Sequence, residues 1–325
     1  MVSRREMLLA LLATGTATAC RRSVRAPDDS VRAESETVRF AVPAGACDCH
    51  VHVFGDPVRF PLSPDRPYTP PPAPAAALRE HLRGLHLERV VIVSPAVYGG
   101  SNECTLDAIR QLGAGARGVA LAAPETPDAE LDRLRRGGIR GIRLNFETFG
   151  VTDSQVAAAR FRLAATRAAA RRWHVQINTR LSVVEALEAQ VLATPAMVVF
   201  DHFAQADAAR GVDQPGFAAL VRLVRSGRAY VKLSAPYRIS TRSPGYADVA
   251  PRARALIAAN AERVVWGSDW PHPDAAQPPG RPATALRPPL PVDDGLMLNQ
   301  LGIWAPDPAV RRAILVENPA RLYGF

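Results

Sequence analysis

The sequence predicts an α/β fold in which eight parallel strands, each followed by a helix, close into a (β/α)8 TIM barrel. Two observations predict it. From residue 46 onward, eight short β-rich runs alternate with amphipathic stretches rich in Ala, Arg and Leu, the pattern of a parallel sheet with crossover helices. Polar side chains then recur at the carboxyl ends of six of those runs, the end on which such a barrel builds its active site. The chain has 325 residues, 47% of them hydrophobic, which suits one barrel of about 250 residues plus a tail better than two independent domains. An open doubly wound sheet is the alternative, but no glycine fingerprint follows the first run.

The elements follow in order. Runs at 46–53, 89–94, 118–122, 139–145, 173–178, 197–202, 229–234 and 263–268 are short and rich in Val, Ile and Leu, and read as strands. Helical periodicity occupies 75–85, 104–112, 129–136, 154–171, 183–190, 216–225 and 247–260, with a last helix at 308–317. Two Pro-rich stretches without periodicity, 55–74 after strand one and 273–291 after strand eight, read as long loops. Loops of that length in a compact domain are usually functional, and these fall on the catalytic side of a barrel.

The first 20 residues read as an export signal of the twin-arginine type. Arg4 and Arg5 precede a short apolar run, which falls short of the ~20 residues of a membrane span. Ala17-Thr18-Ala19-Cys20 is similar to a lipoprotein cleavage site, so a periplasmic protein, tethered to the membrane through a lipidated Cys20, is the expectation. Residues 21–44 are polar and of mixed charge and read as a flexible tether; the barrel is expected over 45–325. The formal charge is +9, but all of the 40 basic residues except Lys232 are Arg, spread along the chain. No nucleic-acid module accompanies them, so nucleic acid is excluded as a partner. Four cysteines in so long a chain make no disulfide framework.

Alternation along strand one places Asp48, His50 and His52 on one face and Cys47, Cys49, Val51 and Val53 on the other. The polar face is expected inside the barrel and the cysteines under the helices. Further strands offer Arg143 and Asn145; His174, Gln176 and Asn178; Val198, Phe200 and His202; and Tyr230, Lys232 and Ser234, followed by Tyr237 and Arg238. Strand eight runs into Asp269 and then His272. Each unpaired buried polar group would cost ~1–3 kcal/mol. A shared site explains such convergence where a dry core does not. Lys232, the only lysine, fits where a planar guanidinium would not. Arg143 and Arg238 are candidates either for structural ion pairs or for bidentate grips on an anionic substrate. His81 and His86 receive no role.

Four segments make the sequence similar to a known family: His50-Val51-His52, Asp201-His202, Gly267-Ser268-Asp269-Trp270-Pro271-His272 and Glu317-Asn318-Pro319-Ala320-Arg321. They resemble the amidohydrolase superfamily, in its second amidohydrolase-type branch, over residues 45–325. His52-Val53-Phe54-Gly55, Arg66-Pro67-Tyr68-Thr69-Pro70, Gly141-Ile142-Arg143-Leu144-Asn145 and the 231–238 segment resemble its 2-pyrone-4,6-dicarboxylate lactonase group. The resemblance implies a distorted barrel that hydrolyses a small anionic lactone. It implies Asp269 as general base on water, with His50, His52 and His202 polarising the carbonyl and Arg143 and Arg238 holding carboxylates. Tyr237, Lys232, Gln176 and Ser234 complete the expected substrate-binding set. Metal-dependent members usually add a strand-five histidine, where this chain has Gln176 and Asn178, so no cofactor is expected. The alternative is one Zn²⁺ on His50, His52, His202 and Asp269, serving a metal-dependent hydrolase or decarboxylase. An exported binding protein without catalysis is the third reading; the intact Asp269 and His-X-His pair count against it.

Overall fold

The structure, a computed structural model, describes Ser35–Phe325 with the exception of Gln277. The expectations at Arg4, Arg5 and Cys20 lie outside the described residues. Eight strands, β1 (Cys47–Val51), β2 (Arg89–Val93), β3 (Ala116–Leu121), β4 (Ile139–Asn145), β5 (His174–Asn178), β6 (Met197–Phe200), β7 (Ala229–Ser234) and β8 (Val264–Gly267), follow one another around a single sheet. Every neighbouring pair is parallel. The ring closes at the β1–β8 seam, where Asp269 N donates to His50 O and His52 N to Trp270 O, both at 2.8 Å. The predicted (β/α)8 barrel is the observed fold.

Helices α1 (Ala75–Gly84), α2 (Glu103–Leu112), α3 (Asp128–Arg136), α4 (Ser154–Ala169), α5 (Leu181–Ala193), α6 (Phe217–Arg225) and α7 (Ala250–Ala259) follow the first seven strands. The main core lies between the strands and these helices and includes Ile92, Ile177, Leu233 and Trp266 against Leu131, Phe161, Leu187 and Leu220. A smaller core fills the barrel floor: Cys47, Cys49, Val91, Val119, Val199, Tyr230 and Val265, with Tyr323 against them. The two Pro-rich loops meet, as Arg287 N donates to Thr69 O at 2.8 Å.

Two strand faces differ from the alternation read in the sequence. In β1 the pairing passes from Asp48↔Val90 to Val51↔Ile92, so three steps on β1 oppose two on β2. This bulge reverses the phase. Cys47 and Cys49 line the barrel floor instead of the helix layer. Asp48 turns outward to His81 on α1, with 3.3 Å between Oδ2 and Nε2, while His50 and His52 still enter the barrel. In β6, Val198 and Phe200 belong to the outer core and Val199 to the inner one. Asp201 therefore points inward, and His202 joins it through a left-handed backbone, φ +49°.

A helix not expected from the sequence, α8 (Asp294–Trp304), follows the β8 loop, ahead of α9 (Pro308–Arg312), a π turn (Ala313–Glu317) and α10 (Asn318–Tyr323). Met297, Leu298, Asn299, Gln300 and Leu301 are all buried in α8, so it lacks the one-sided stripe that makes a helix legible. One side is covered by residues 35–44, which the sequence assigned to the tether. Glu36 N donates to Asp293 Oδ2 at 3.0 Å and Arg39 N to Asn299 Oδ1 at 2.7 Å. A Cβ at Gly295 would lie 1.7 Å from Glu36 O, so only glycine admits this docking.

Candidate active site

Four strand ends bring the acid–base groups together. His50 and His52 come from β1 and the residue following it, Asp201 and His202 follow β6, Lys232 stands in β7, and Asp269 follows β8. All are buried. Asp269 sits in a left-handed turn, φ +64°, a conformation a non-glycine residue keeps only when its surroundings hold it there. Its Oδ2 accepts from Tyr237 Oη at 2.7 Å and Arg238 Nε at 2.8 Å, with Arg238 Nη2 at 2.7 Å. Its Oδ1 has no hydrogen-bond partner among the described residues. Around Oδ1 stand His52 Nε2 at 3.4 Å, His50 Nε2 at 3.6 Å and His202 Nε2 at 4.0 Å.

The far nitrogen of each imidazole is engaged. His52 Nδ1 lies 2.7 Å from Val93 O; a carbonyl only accepts, so the proton is on Nδ1 and the Nε2 lone pair faces Asp269. His202 Nδ1 lies 2.8 Å from Ser234 Oγ. His50 Nδ1 lies 3.2 Å from both Lys232 Nζ and Asp201 Oδ1. Lys232 Nζ donates to Gln176 Oε1 at 2.7 Å and stands 3.3 Å from Asp201 Oδ1. Gln176 Nε2 donates to Asp201 Oδ2 at 3.0 Å. Lys232, Gln176 and Ser234 thus lie behind the histidines, each spent on a protein partner. Arg143 Nη1 donates to Ser94 O at 3.1 Å, and its buried Nε has no hydrogen-bond partner among the described residues.

Burial and neighbouring charges set the protonation states. Burial pushes the Asp269 carboxyl up, but the Arg238 guanidinium foremost holds it well below the usual carboxylate range. Asp201 behaves likewise, with Lys232 as the main opposing charge. Burial lowers all three imidazoles, His202 to about 4, and Lys232 lowers His50 further. The site therefore holds two carboxylates among neutral imidazoles. Lys232, Arg143 and Arg238 supply three formal cations against them, a surplus of one positive charge. His50, His202 and Asp269 offer ligand atoms within 4.8 Å of one another, a donor set that could hold one metal ion.

These groups converge on a single open carboxylate oxygen at the carboxyl end of the barrel. The amidohydrolase family model matches residues 47–325. The chain belongs to the amidohydrolase family. The 2-pyrone-4,6-dicarboxylate hydrolase of Comamonas testosteroni is 36% identical over 301 residues, 88% of this chain and 92% of the relative. The 4-sulfomuconolactone hydrolase of Hydrogenophaga intermedia is 33% identical over 287 residues, 88% of this chain and 91% of the relative. An apo crystal structure from Agrobacterium tumefaciens superposes with a TM-score of 0.75 at 27% identity, covering 89% of this chain and 98% of that one. This amidohydrolase is an enzyme, a hydrolase.

Two groups at the site were not singled out from the sequence. Asp201 was visible only as half of the Asp201-His202 motif, because the alternation assigned to strand six pointed it outward. Tyr68, from the loop after β1, is buried beside Arg143, Arg238 and Asp269, and burial pushes its hydroxyl to about 12. Its signal was the Arg66-Pro67-Tyr68 segment.

Proposed function

We propose that this hydrolase opens small lactones carrying carboxylate or sulfonate groups, with Asp269 as general base and no metal ion. One observation carries the reading: Asp269 has one oxygen pinned by Arg238 and Tyr237 and the other without a hydrogen-bond partner among the described residues, facing three imidazole Nε2 atoms. Pinning fixes which oxygen is basic and keeps the carboxyl ionised. A water on Oδ1 finds a second acceptor in the His52 Nε2 lone pair 3.4 Å away, which leaves a water lone pair for the carbonyl carbon. Asp269 takes one water proton as the new C–O bond forms, a contribution of roughly 10²–10⁴ in rate. It returns that proton to the ring oxygen as the old C–O bond breaks.

His50 and His202 serve as donors to the developing oxyanion. In this assignment His50 Nδ1 accepts from Lys232 rather than donating to Asp201 at the same 3.2 Å, and His202 Nδ1 accepts from Ser234 Oγ, which leaves both protons on Nε2. His52, expected to polarise the carbonyl, is assigned to the water instead, because its proton is on the other nitrogen. Lys232, Gln176 and Ser234 are positioning residues here rather than substrate contacts. Arg143 and Arg238 supply the cationic side of the substrate pocket.

The relatives named above act, by their names, on a pyrone dicarboxylate and a sulfo-substituted lactone, both anionic. Such a substrate complements the positive surplus of the site. A divalent cation would add to that surplus in a buried space, so the charges do not suit a metal although the donor atoms do. One observation favours the metal-dependent alternative: the Nδ1-to-carbonyl lock on His52 is also how ligand histidines are oriented. Turnover of 2-pyrone-4,6-dicarboxylate and 4-sulfomuconolactone by metal-free protein tests the reading; turnover that vanishes on chelation and returns with one Zn²⁺ per chain overturns its metal-free part.

A further inference from the structure

A second set of buried polar side chains, outside the reacting groups, closes a ring around the seam where β1 meets β8. Tyr237, whose hydroxyl donates to Asp269 Oδ2 at 2.7 Å, has its oxygen 3.5 Å from His272 Nδ1. His272 Nε2 lies 3.0 Å from Asp294 Oδ1, close enough for an ion pair but without hydrogen-bond geometry, and Asp294 Oδ2 lies 3.2 Å from His81 Nδ1. His81 Nε2 reaches Asp48 Oδ2 at 3.3 Å. Asp48 Oδ1 in turn accepts from the backbone N–H of His50 and of Ser268, both at 3.0 Å. The ring thus leaves the base through Tyr237, crosses the first residue of α8 and the α1 helix, and returns to the amides beside His50 and Asp269.

The place of this ring is informative. The β1–β8 seam carries His50, His52 and Asp269, yet β8 ends at Gly267 and, among the described residues, two backbone hydrogen bonds join its continuation to β1. Ladder bonds cannot set the Asp269 carboxylate to the tolerance that catalysis needs, about half an ångström. The side-chain ring can. Asp294 is its junction, because its two oxygens engage two different imidazoles. The His81 imidazolium, raised to about 9 chiefly by Asp294 against the effect of burial, keeps that junction charged.

We propose that Asp294 and His272 are positioning residues for the base: they hold Tyr237 against Asp269 Oδ2, so that Oδ1 alone faces the reacting water. The proposal rests on the lactone reading above. It assigns a catalytic consequence to a helix, α8, that contributes no group to the reaction itself.

A double-mutant cycle tests it. Asp294→Asn keeps the shape and removes the charge that faces His272 and His81; it should lower kcat on 2-pyrone-4,6-dicarboxylate about tenfold, with KM nearly unchanged. Tyr237→Phe should lower kcat at least as much. The double variant should be no slower than Tyr237→Phe alone, since Asp294 acts through Tyr237. Asn299→Ala cuts the same helix from residues 37 and 39; it should lower Tm and spare kcat. Additive losses in the cycle, or an Asp294→Asn protein with the wild-type kcat, overturn the proposal. Crystal structures separate its failure from that of the lactone reading. Wild-type protein that opens no acidic lactone ends that reading, whereas an Asp294→Asn structure that keeps Tyr237 on Asp269 ends the positioning role.

Discussion

Replacing Arg238 by Met should move the acid limb of activity rather than merely lower the plateau. Arg238 meets Asp269 Oδ2 with two nitrogens, Nε at 2.8 Å and Nη2 at 2.7 Å. It is the foremost of the charges that hold this buried carboxyl below the usual range, against burial, which pushes it up. A base works only when ionised, so activity is lost as pH falls through its pKa. In the wild type that limb lies below the ordinary carboxylate value of about 4. Without Arg238, burial meets less opposition and the pKa rises. Removing one partner of a buried pair costs about 3–5 kcal/mol when the other stays charged. Each unit of upward shift relieves about 1.4 kcal/mol by letting the carboxyl protonate instead. The assay is kcat/KM against pH from 4 upward, on an acidic lactone and on a neutral one. Stability shifts the same way: a depressed carboxyl stabilises the fold above its unfolded pKa and that contribution fades as pH falls through the folded pKa, so the variant should lose Tm most at neutral pH. A variant profile parallel to the wild type at every pH would refute the claim that Arg238 sets the state of the base.

Three further outcomes follow from the same geometry. Asp269→Asn should be slower by roughly 10²–10⁴, and exhaustive chelation should leave wild-type turnover intact, with metal analysis of the active protein as the check. Arg143→Met should lower kcat/KM for dianionic lactones by roughly tenfold to a hundredfold, the worth of one charge-assisted hydrogen bond, and much less for neutral ones; an equal loss on both would make Arg143 purely structural. Export rests on the sequence alone: cells carrying Arg4→Lys/Arg5→Lys should retain the protein in the cytoplasm, and equal periplasmic yield from both genes would end the twin-arginine reading.

The sequence by itself determined the fold class and most of the groups that meet at the carboxyl end of the barrel. Strands such as β5 and β7, buried on both faces, alternate polar residues toward the barrel interior with apolar ones toward the helices, and the seven helices that follow the first seven strands pack apolar residues on the barrel, so each carries a local period that survives folding. His50, His52, His202 and Asp269 were legible because they stand at strand ends, and strand ends meet in any closed parallel barrel. What the tertiary structure alone decided is where neighbours interrupt a local period. The β1 bulge reverses a face, and nothing in Cys47-Asp48-Cys49-His50 announces it, since a bulge is a relation between β1 and β2. Asp201 points inward because β6 takes its phase from its partner strands. Helix α8 shows no stripe because residues 35–44 cover the side that a surface helix would expose. The pairing of Arg238 and Tyr237 with one oxygen of Asp269, and the ring through His272, Asp294, His81 and Asp48, join residues from both ends of the chain. Such contacts depend on distance in space, and a one-dimensional pattern carries no record of it.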